Sequence, residues 1–252
     1  MLRPAVAVYT RLLQTSSRPH HRTLHPTMSH AINPAFPDTV NDVDRYSEAW
    51  EGKWATKTTG WDQGHSHPAL LKLLDSDEAK KAGIPSAGRA FVPGCGLGYD
   101  VDTFARRGLD STGLDIAATG VSAANAWLAA QPPRKNAAEV VLGDFFTYDP
   151  GYKFDVIYDY TFLCALPPAM RTQWAESMAR LAKADPSARL ITQQYPLNGN
   201  PVGPPFPLSV EIYNDLLGKD WEVVWERDIP QEERRVNSPP GDERLVVWAR
   251  KA

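Results

Sequence analysis

The stretch Val92-Pro93-Gly94-Cys95-Gly96-Leu97-Gly98 limits what this chain can fold into more than any other. It follows a short apolar run, Arg89-Ala90-Phe91-Val92-Pro93, and precedes Asp100 to Arg107, which reads as a helix closed by Gly108. A strand, a glycine turn and a helix in that order let the backbone approach a ligand and aim unsatisfied N–H groups at it. That is a nucleotide-type cradle. Its spacing, Gly94-x-Gly96-x-Gly98, differs from the Gly-x-Gly-x-x-Gly that closes around a dinucleotide pyrophosphate, and Asp100 near the helix start would repel a phosphate. A cofactor without phosphate is favoured. By itself the cluster is weak, because a tight turn with no ligand uses the same residues.

Further along, the alternation continues. Ser111 to Ile116 reads as a strand, Thr119 to Ala130 as a helix, and Glu139 to Leu142 as a strand leading into Gly143-Asp144-Phe145-Phe146. Phe154 to Asp159 is the next strand, Pro168 to Ala182 a helix, and Arg189 to Gln194 a strand. β–α alternation of this kind predicts a mostly parallel sheet with helices on both faces. Trp221 to Glu226 and Arg244 to Ala249 break the rule, being strand-like runs joined by a charged, Pro- and Gly-containing loop without a convincing helix. They are expected to pair antiparallel. Ahead of the sheet, Val43 to Trp54 reads as a helix with Trp50 and Trp54 on one face, and His67 to Lys81 as a second helical stretch.

The 252 residues, 42% hydrophobic and 23% charged, accommodate one α/β domain, set at residues 38–252, plus a tail. No apolar run approaches the roughly 20 residues that span a bilayer, so no membrane partner is expected. A net charge of −3 without a basic stripe argues against nucleic acid. Cys95 and Cys164 lie far apart with no metal-ligand spacing, and His65 and His67 lack metal partners, so no metal is expected. Residues 1–37 carry Arg3, Arg11, Arg18 and Arg22 and no acid. They read as a disordered tail, a mitochondrial transit peptide, or an extension upstream of Met28, and the cytoplasm is the default location.

Three acids stand where an open α/β sheet binds ligands. Asp115 closes the second strand, where a carboxylate can accept hydrogen bonds from the ribose hydroxyls that NAD and S-adenosylmethionine both carry. Asp144 follows the third strand and can receive an adenine amino group while Phe145 covers the ring. Either acid alone could simply cap a turn. Asp159-Tyr160-Thr161-Phe162 ends the fourth strand and would face a transferable group. Both cysteines read more naturally as small buried fillers than as nucleophiles.

Trp50-x-x-x-Trp54, Thr58-Thr59-Gly60-Trp61-Asp62-Gln63-Gly64, Val92 to Asp100, Gly113-Leu114-Asp115, Gly143 to Phe146, Asp159 to Phe162 and Gly203-Pro204-Pro205-Phe206 together resemble the thiopurine methyltransferase family, and most of all its thiol and halide/thiocyanate branch. The similarity runs from about Asp42 to the C-terminus. It implies a Rossmann-like class I methyltransferase with a seven-stranded sheet and an antiparallel C-terminal strand. The cofactor implied is S-adenosylmethionine. By the same resemblance, residues 42–66 fold over it, with Trp50, Trp54 and Trp61 around the sulfonium, a cation that aromatic faces attract. Gly94 and Gly96 would line the cofactor, Asp115 with Ile116 would hold the ribose, and Asp144 with Phe145 the adenine. Asp159 and Tyr160 would lie at the transfer site, touching cofactor and acceptor, and Arg171 would steer an anionic nucleophile. Tyr160 stands where the thiopurine enzymes carry an arginine, which favours small acceptors.

Methyl transfer from a sulfonium is an in-line displacement that needs alignment and exclusion of water more than acid–base machinery. A thiol with a pKa of about 8.5 needs only modest help to react as thiolate, and halide or thiocyanate is already anionic. The expected reaction is therefore methylation of a small thiol, hydrosulfide, halide or thiocyanate by a monomeric enzyme, with Tyr160 orienting or deprotonating the acceptor and Asp159 shaping the field. Two other readings stay open at this level: a non-catalytic S-adenosylmethionine-binding module, and an NAD(P)-dependent oxidoreductase, which accounts for neither the glycine spacing nor the tryptophans.

Overall fold

The computed structural model describes residues 43–198 and 203–252. The tail or transit peptide at 1–37 lies outside them. Seven strands form one sheet: β1 (Gly88–Pro93), β2 (Leu109–Asp115), β3 (Ala138–Leu142), β4 (Val156–Tyr160), β5 (Arg189–Gln194), β6 (Trp221–Asp228) and β7 (Arg244–Arg250). Their order across the sheet is β3-β2-β1-β4-β5-β7-β6. β1 to β5 pair in parallel, whereas β7 lies between β5 and β6 and runs antiparallel to both. This is the expected Rossmann-like class I arrangement. Because β2 and β3 spread one way from β1 while β4 and β5 spread the other, the C-terminal ends of β1 and β4 frame a crevice, the usual ligand position in such sheets.

Consecutive strand residues enter opposite cores, which explains why the strands read as unbroken apolar runs. Phe91, Ile157, Leu190, Val246 and Trp248 pack on one face, while Ala90, Val92, Val156, Tyr158, Ile191, Leu245 and Val247 pack on the other. Helices α4 (Tyr99–Arg106) and α5 (Ala118–Ala130) bring Val101, Phe104, Ala124 and Leu128 to the second core. Helix α6 (Arg171–Leu181) brings Trp174, Met178 and Leu181 to the first.

The elements differ from expectation in three places. The helical stretch at 67–81 is two helices, α2 (Pro68–Leu74) and α3 (Asp77–Lys81), because the Ser76 hydroxyl accepts the Glu78 N–H and starts a new helix. β4 begins at Val156, since Phe154 only bridges to Ala182. A further helix, α7 (Val210–Leu217), capped by Ser209 and buried through Tyr213 and Leu217, fills the connection between β5 and β6. Helix α1 (Val43–Ala55) forms as expected. Among the described residues, no helix is long and apolar enough to cross a membrane.

Candidate active site

The crevice at the strand ends is a cavity of about 440 Å³. Its floor is the glycine turn. Gly94, Gly96 and Gly98 all have positive φ (57°, 56° and 81°), a conformation costly for any residue with a Cβ. A Cβ on Gly94 would come 2.3 Å from the Phe162 ring, so this glycine is required by packing as well as by conformation. A Cβ on Gly96 would meet only the Trp61 indole nitrogen, at 4.0 Å, so the backbone there opens onto the cavity. Beneath the loop, Cys95 packs so close to Gly113 that a Cβ would lie 2.5 Å from its sulfur. Cys95 is a filler, as expected.

Asp115 and Ile116 line the cavity beside this floor. Burial raises the Asp115 carboxyl to about 6, opposed by the backbone N–H groups of Ala117, Gly96 and Ile116, the first at 3.0 Å from Oδ1. Asp144 and Phe145 also line it. The Asp144 carboxylate caps its own turn, accepting the Phe146 N–H at 3.0 Å and the Thr147 hydroxyl at 3.2 Å, so the turn-capping role and the place on the wall coexist. Asp100 is tucked behind the loop, raised to about 6 by burial with Ser66 opposing.

Overhead, the tryptophans close the cavity. Trp50, Trp54 and Trp61 all line it, with Trp61 edge-on to Trp50 at 5.2 Å and to Trp54 at 5.8 Å. Edge-to-face packing of this kind presents π-faces inward without stacking the rings on one another. Two contacts clip α1 to α5. The Glu51 carboxylate accepts the Thr119 N–H at 3.0 Å and the Thr119 hydroxyl, and Trp54 lies over Gly120, where a Cβ would come 2.7 Å from its indole nitrogen. Helix α1 and Trp61 therefore contribute one wall of the cavity.

The three residues expected at the transfer site do not line this cavity. Asp159 is 1% exposed, and its carboxylate accepts the Trp174 indole N–H at 2.7 Å and the Leu163 N–H at 3.3 Å. Burial raises its pKa to about 6 against those bonds. Its carboxylate braces the turn after β4, in which Thr161, a wall residue, is held at φ 61°. For a β-branched residue this conformation costs about 1–3 kcal/mol and persists only where surrounding contacts enforce it. Arg171 donates to the Pro207 carbonyl at 2.8 Å, securing the chain just past Gly203-Pro204-Pro205-Phe206, whose Phe206 N–H bonds to the Cys164 carbonyl at 2.6 Å. Tyr160 turns its hydroxyl away from the cavity to accept a bond from Arg235 at 2.9 Å, and burial raises its pKa despite that cation. A phenol so shifted is a poor base near neutral pH. In this structure all three hold the wall from behind.

What does reach the wall is Arg235, from the loop between β6 and β7. Its guanidinium donates to the Tyr160 hydroxyl and to the Trp61 carbonyl at 3.3 Å, and lies over the Tyr195 ring at 4.9 Å. Burial lowers its pKa but Tyr160, Tyr195 and Glu243 outweigh that, so it stays charged. Two of its five donors are spent on neutral partners. The rest of the wall there is largely apolar: Tyr46, Cys164, Leu166, Met170, Tyr195, Pro204 and Pro205. The Cys164 thiol is buried, raised in pKa by that burial, and donates to the Thr161 carbonyl at 3.4 Å. Only the Gly-Pro-Pro-Phe segment hinted at this half in the sequence. Arg235 had no signal, since an arginine in a charged loop looks like any solvated residue.

The chain matches the thiopurine S-methyltransferase (TPMT) family over residues 45–251. It is 36% identical over 203 residues to a probable thiol methyltransferase 2 of Arabidopsis thaliana, covering 80% of this chain and 84% of that protein. With a thiocyanate methyltransferase 1 of Brassica oleracea it shares 39% over 182 residues, 72% of this chain and 74% of the other. Among solved structures, its fold resembles that of a magnesium protoporphyrin IX methyltransferase from Synechocystis PCC 6803 with bound SAM, at 15% identity and a TM-score of 0.54, covering 86% of this chain and 88% of that one.

Proposed function

The chain belongs to the thiopurine S-methyltransferase family and is an S-adenosylmethionine-dependent methyltransferase acting on a small nucleophile; from that premise we propose that its acceptor is an organic thiol bound as thiolate against Arg235. The observation that carries this reading is the pairing of one half-buried, incompletely satisfied guanidinium with an apolar wall in the same cavity. Such a wall suits a thiolate with a carbon body, whereas a bare halide would leave Leu166, Met170 and the two prolines without a partner.

S-adenosylmethionine supplies an electrophilic methyl on a sulfonium. Asp115 and the Gly96 backbone suit the ribose, because a fixed carboxylate beside an open glycine can accept two hydroxyls. Asp144 and Phe145 suit the adenine, the first as acceptor and the second as an apolar face. The tryptophans suit the sulfonium by cation–π attraction and exclude water, and they are not nucleophiles that would compete for the methyl. Arg235 stabilises the thiolate over the thiol, which lowers the acceptor's pKa and removes the need for a general base. Tyr160 acts through Arg235 by fixing its guanidinium, and is a positioning residue. Asp159 and Arg171 position the chain on which the acceptor wall is built.

The test is a competition among acceptors. With S-adenosylmethionine and a panel of aryl and alkyl thiols, hydrosulfide, iodide and thiocyanate, methylated products are quantified by headspace and liquid chromatography. An apolar thiol is expected to exceed iodide and thiocyanate in kcat/KM by about 10-fold or more, the value of about 1.4 kcal/mol of apolar contact. Equal or better turnover of the inorganic anions would reassign the acceptor, and no S-methylation of any thiol would overturn the reading.

A further inference from the structure

A second, smaller pocket of about 230 Å³ lies behind Arg235, walled by Gln63, His65, His67, Tyr160, Arg234 and Val236 among others. Among the described residues, Arg235 is the one that lines both this pocket and the main cavity. Resting on the acceptor reading above, we infer that this pocket is the port through which the anionic acceptor reaches the cavity, separate from the mouth used by the cofactor, with the Arg235 side chain as the partition.

The unspent hydrogen-bond donors of the pocket suit an anion. Its nearest buried acid, Glu243, already receives the His67 Nε2–H at 2.8 Å on one oxygen and the Arg235 backbone N–H at 2.9 Å on the other. His67 is fixed in that role because its Nδ1 accepts the Ala69 N–H at 3.1 Å. The Arg234 and Arg235 guanidiniums are left with carbonyl oxygens and the Tyr160 hydroxyl as their hydrogen-bond partners, and Glu232 is exposed at the edge. The hydrogen of the Tyr160 hydroxyl finds no acceptor among the described residues, so it is available to an incoming anion. Two guanidiniums thus balance the carboxylates of Glu232 and Glu243, and what the pocket offers an anion is hydrogen-bond donors still to spend.

The partition is a single side chain. Arg235 is held across it by two hydrogen bonds from its charged guanidinium and by its contact over the Tyr195 ring, and rotation of that side chain joins the two spaces without unfolding anything. The cofactor does not use this route, because the pocket is about half the volume of the cavity it would have to leave. The tryptophan wall, clipped by Glu51 to Thr119, can then stay closed over the cofactor while acceptor and methylated product exchange.

The experiment uses the full chain saturated with S-adenosylhomocysteine and a coloured thiolate, 2-nitro-5-thiobenzoate, mixed in a stopped-flow instrument. Val236, 82% exposed at the rim, is replaced in Val236→Trp, and the exposed His65 on the same pocket in His65→Trp. Thr58→Trp, at an exposed position on the main cavity, serves as the contrast. Each rim variant is expected to slow thiolate association and dissociation together by about fivefold or more, leaving Kd within about twofold, as an obstructed passage requires. Thr58→Trp should slow S-adenosylhomocysteine exchange and leave the thiolate rates alone. Unchanged association in both rim variants overturns the port, as does slowing by Thr58→Trp instead, or a changed Kd with unchanged association. Turnover of the same thiolate with S-adenosylmethionine is measured in parallel. Binding through the port without turnover would overturn the acceptor reading and keep the port, and no binding at all would overturn both.

Discussion

Asp115 and Arg235 face the same cavity but reach it by different routes. Asp115 stands at the end of β2 and is held by the backbone of its own turn and of the neighbouring glycine loop. Arg235 comes from a loop near the C-terminus and is held by Tyr160, 75 residues away, and by Trp61, 174 residues away. Strand ends and the turns that follow them build the half proposed for the cofactor, so its geometry comes with the sheet. Loops from three separate connections, with Tyr46 of α1, build the acceptor half, so its geometry depends on contacts between them. The cofactor half is accordingly suited to one invariant ligand, and the acceptor half to change.

Substitutions on each side should separate the two binding events. The largest effect is expected from Asp115→Ala, which removes about two charge-assisted hydrogen bonds of ~1.5 kcal/mol each and should weaken S-adenosylhomocysteine about 100-fold by calorimetry. A loss below about threefold would break the comparison at its firmer end. Next comes Arg235→Met, for which kcat/KM towards thiolates should fall about 30-fold while S-adenosylhomocysteine affinity stays within about twofold. Equal losses in both would mean that Arg235 serves the covering segment through the Trp61 carbonyl rather than the acceptor.

A pH titration sharpens the same division. Burial holds Asp115 partly protonated near its raised pKa of about 6, and the ribose prefers the carboxylate. Cofactor affinity should therefore be full above neutrality and fall by about 10-fold between pH 7 and pH 5. Binding at pH 6 should release a proton, visible as a buffer-dependent heat. Asp115→Asn should flatten this dependence. The smallest effect is expected from Glu51→Gln, which weakens a largely exposed cap worth about 0.5–1 kcal/mol and should speed S-adenosylhomocysteine release about threefold.

The same contrast governs what could be read from the residues alone. Strand order, the glycine loop, Asp115, Asp144 and the tryptophans follow from local patterns, each a few residues long and repeated at successive strand ends. Arg235 and the wall around Cys164 and Tyr195 do not, because nothing near Arg235 in the chain marks it as the neighbour of Trp61. Asp159, Tyr160 and Arg171 were legible as polar groups near the right strand end, but not their direction. Trp174 takes the Asp159 carboxylate, Arg235 takes the Tyr160 hydroxyl and Pro207 takes the Arg171 guanidinium, and each partner lies on another element or loop, 15, 75 and 36 residues away. α7 escaped because a proline-rich run precedes it and only Ser209 announces it.

The fit of Trp54 over Gly120 has a consequence for inheritance. With 2.7 Å between a would-be Cβ and the indole, even alanine at 120 would lift the ring away from α5. Position 120 cannot gain a side chain while residue 54 stays a tryptophan in this place. A lineage that acquires a side chain at 120 has to shrink residue 54 in the same step or soon after, so the two sites should change hands as a pair among relatives, and the width of the tryptophan wall should follow them.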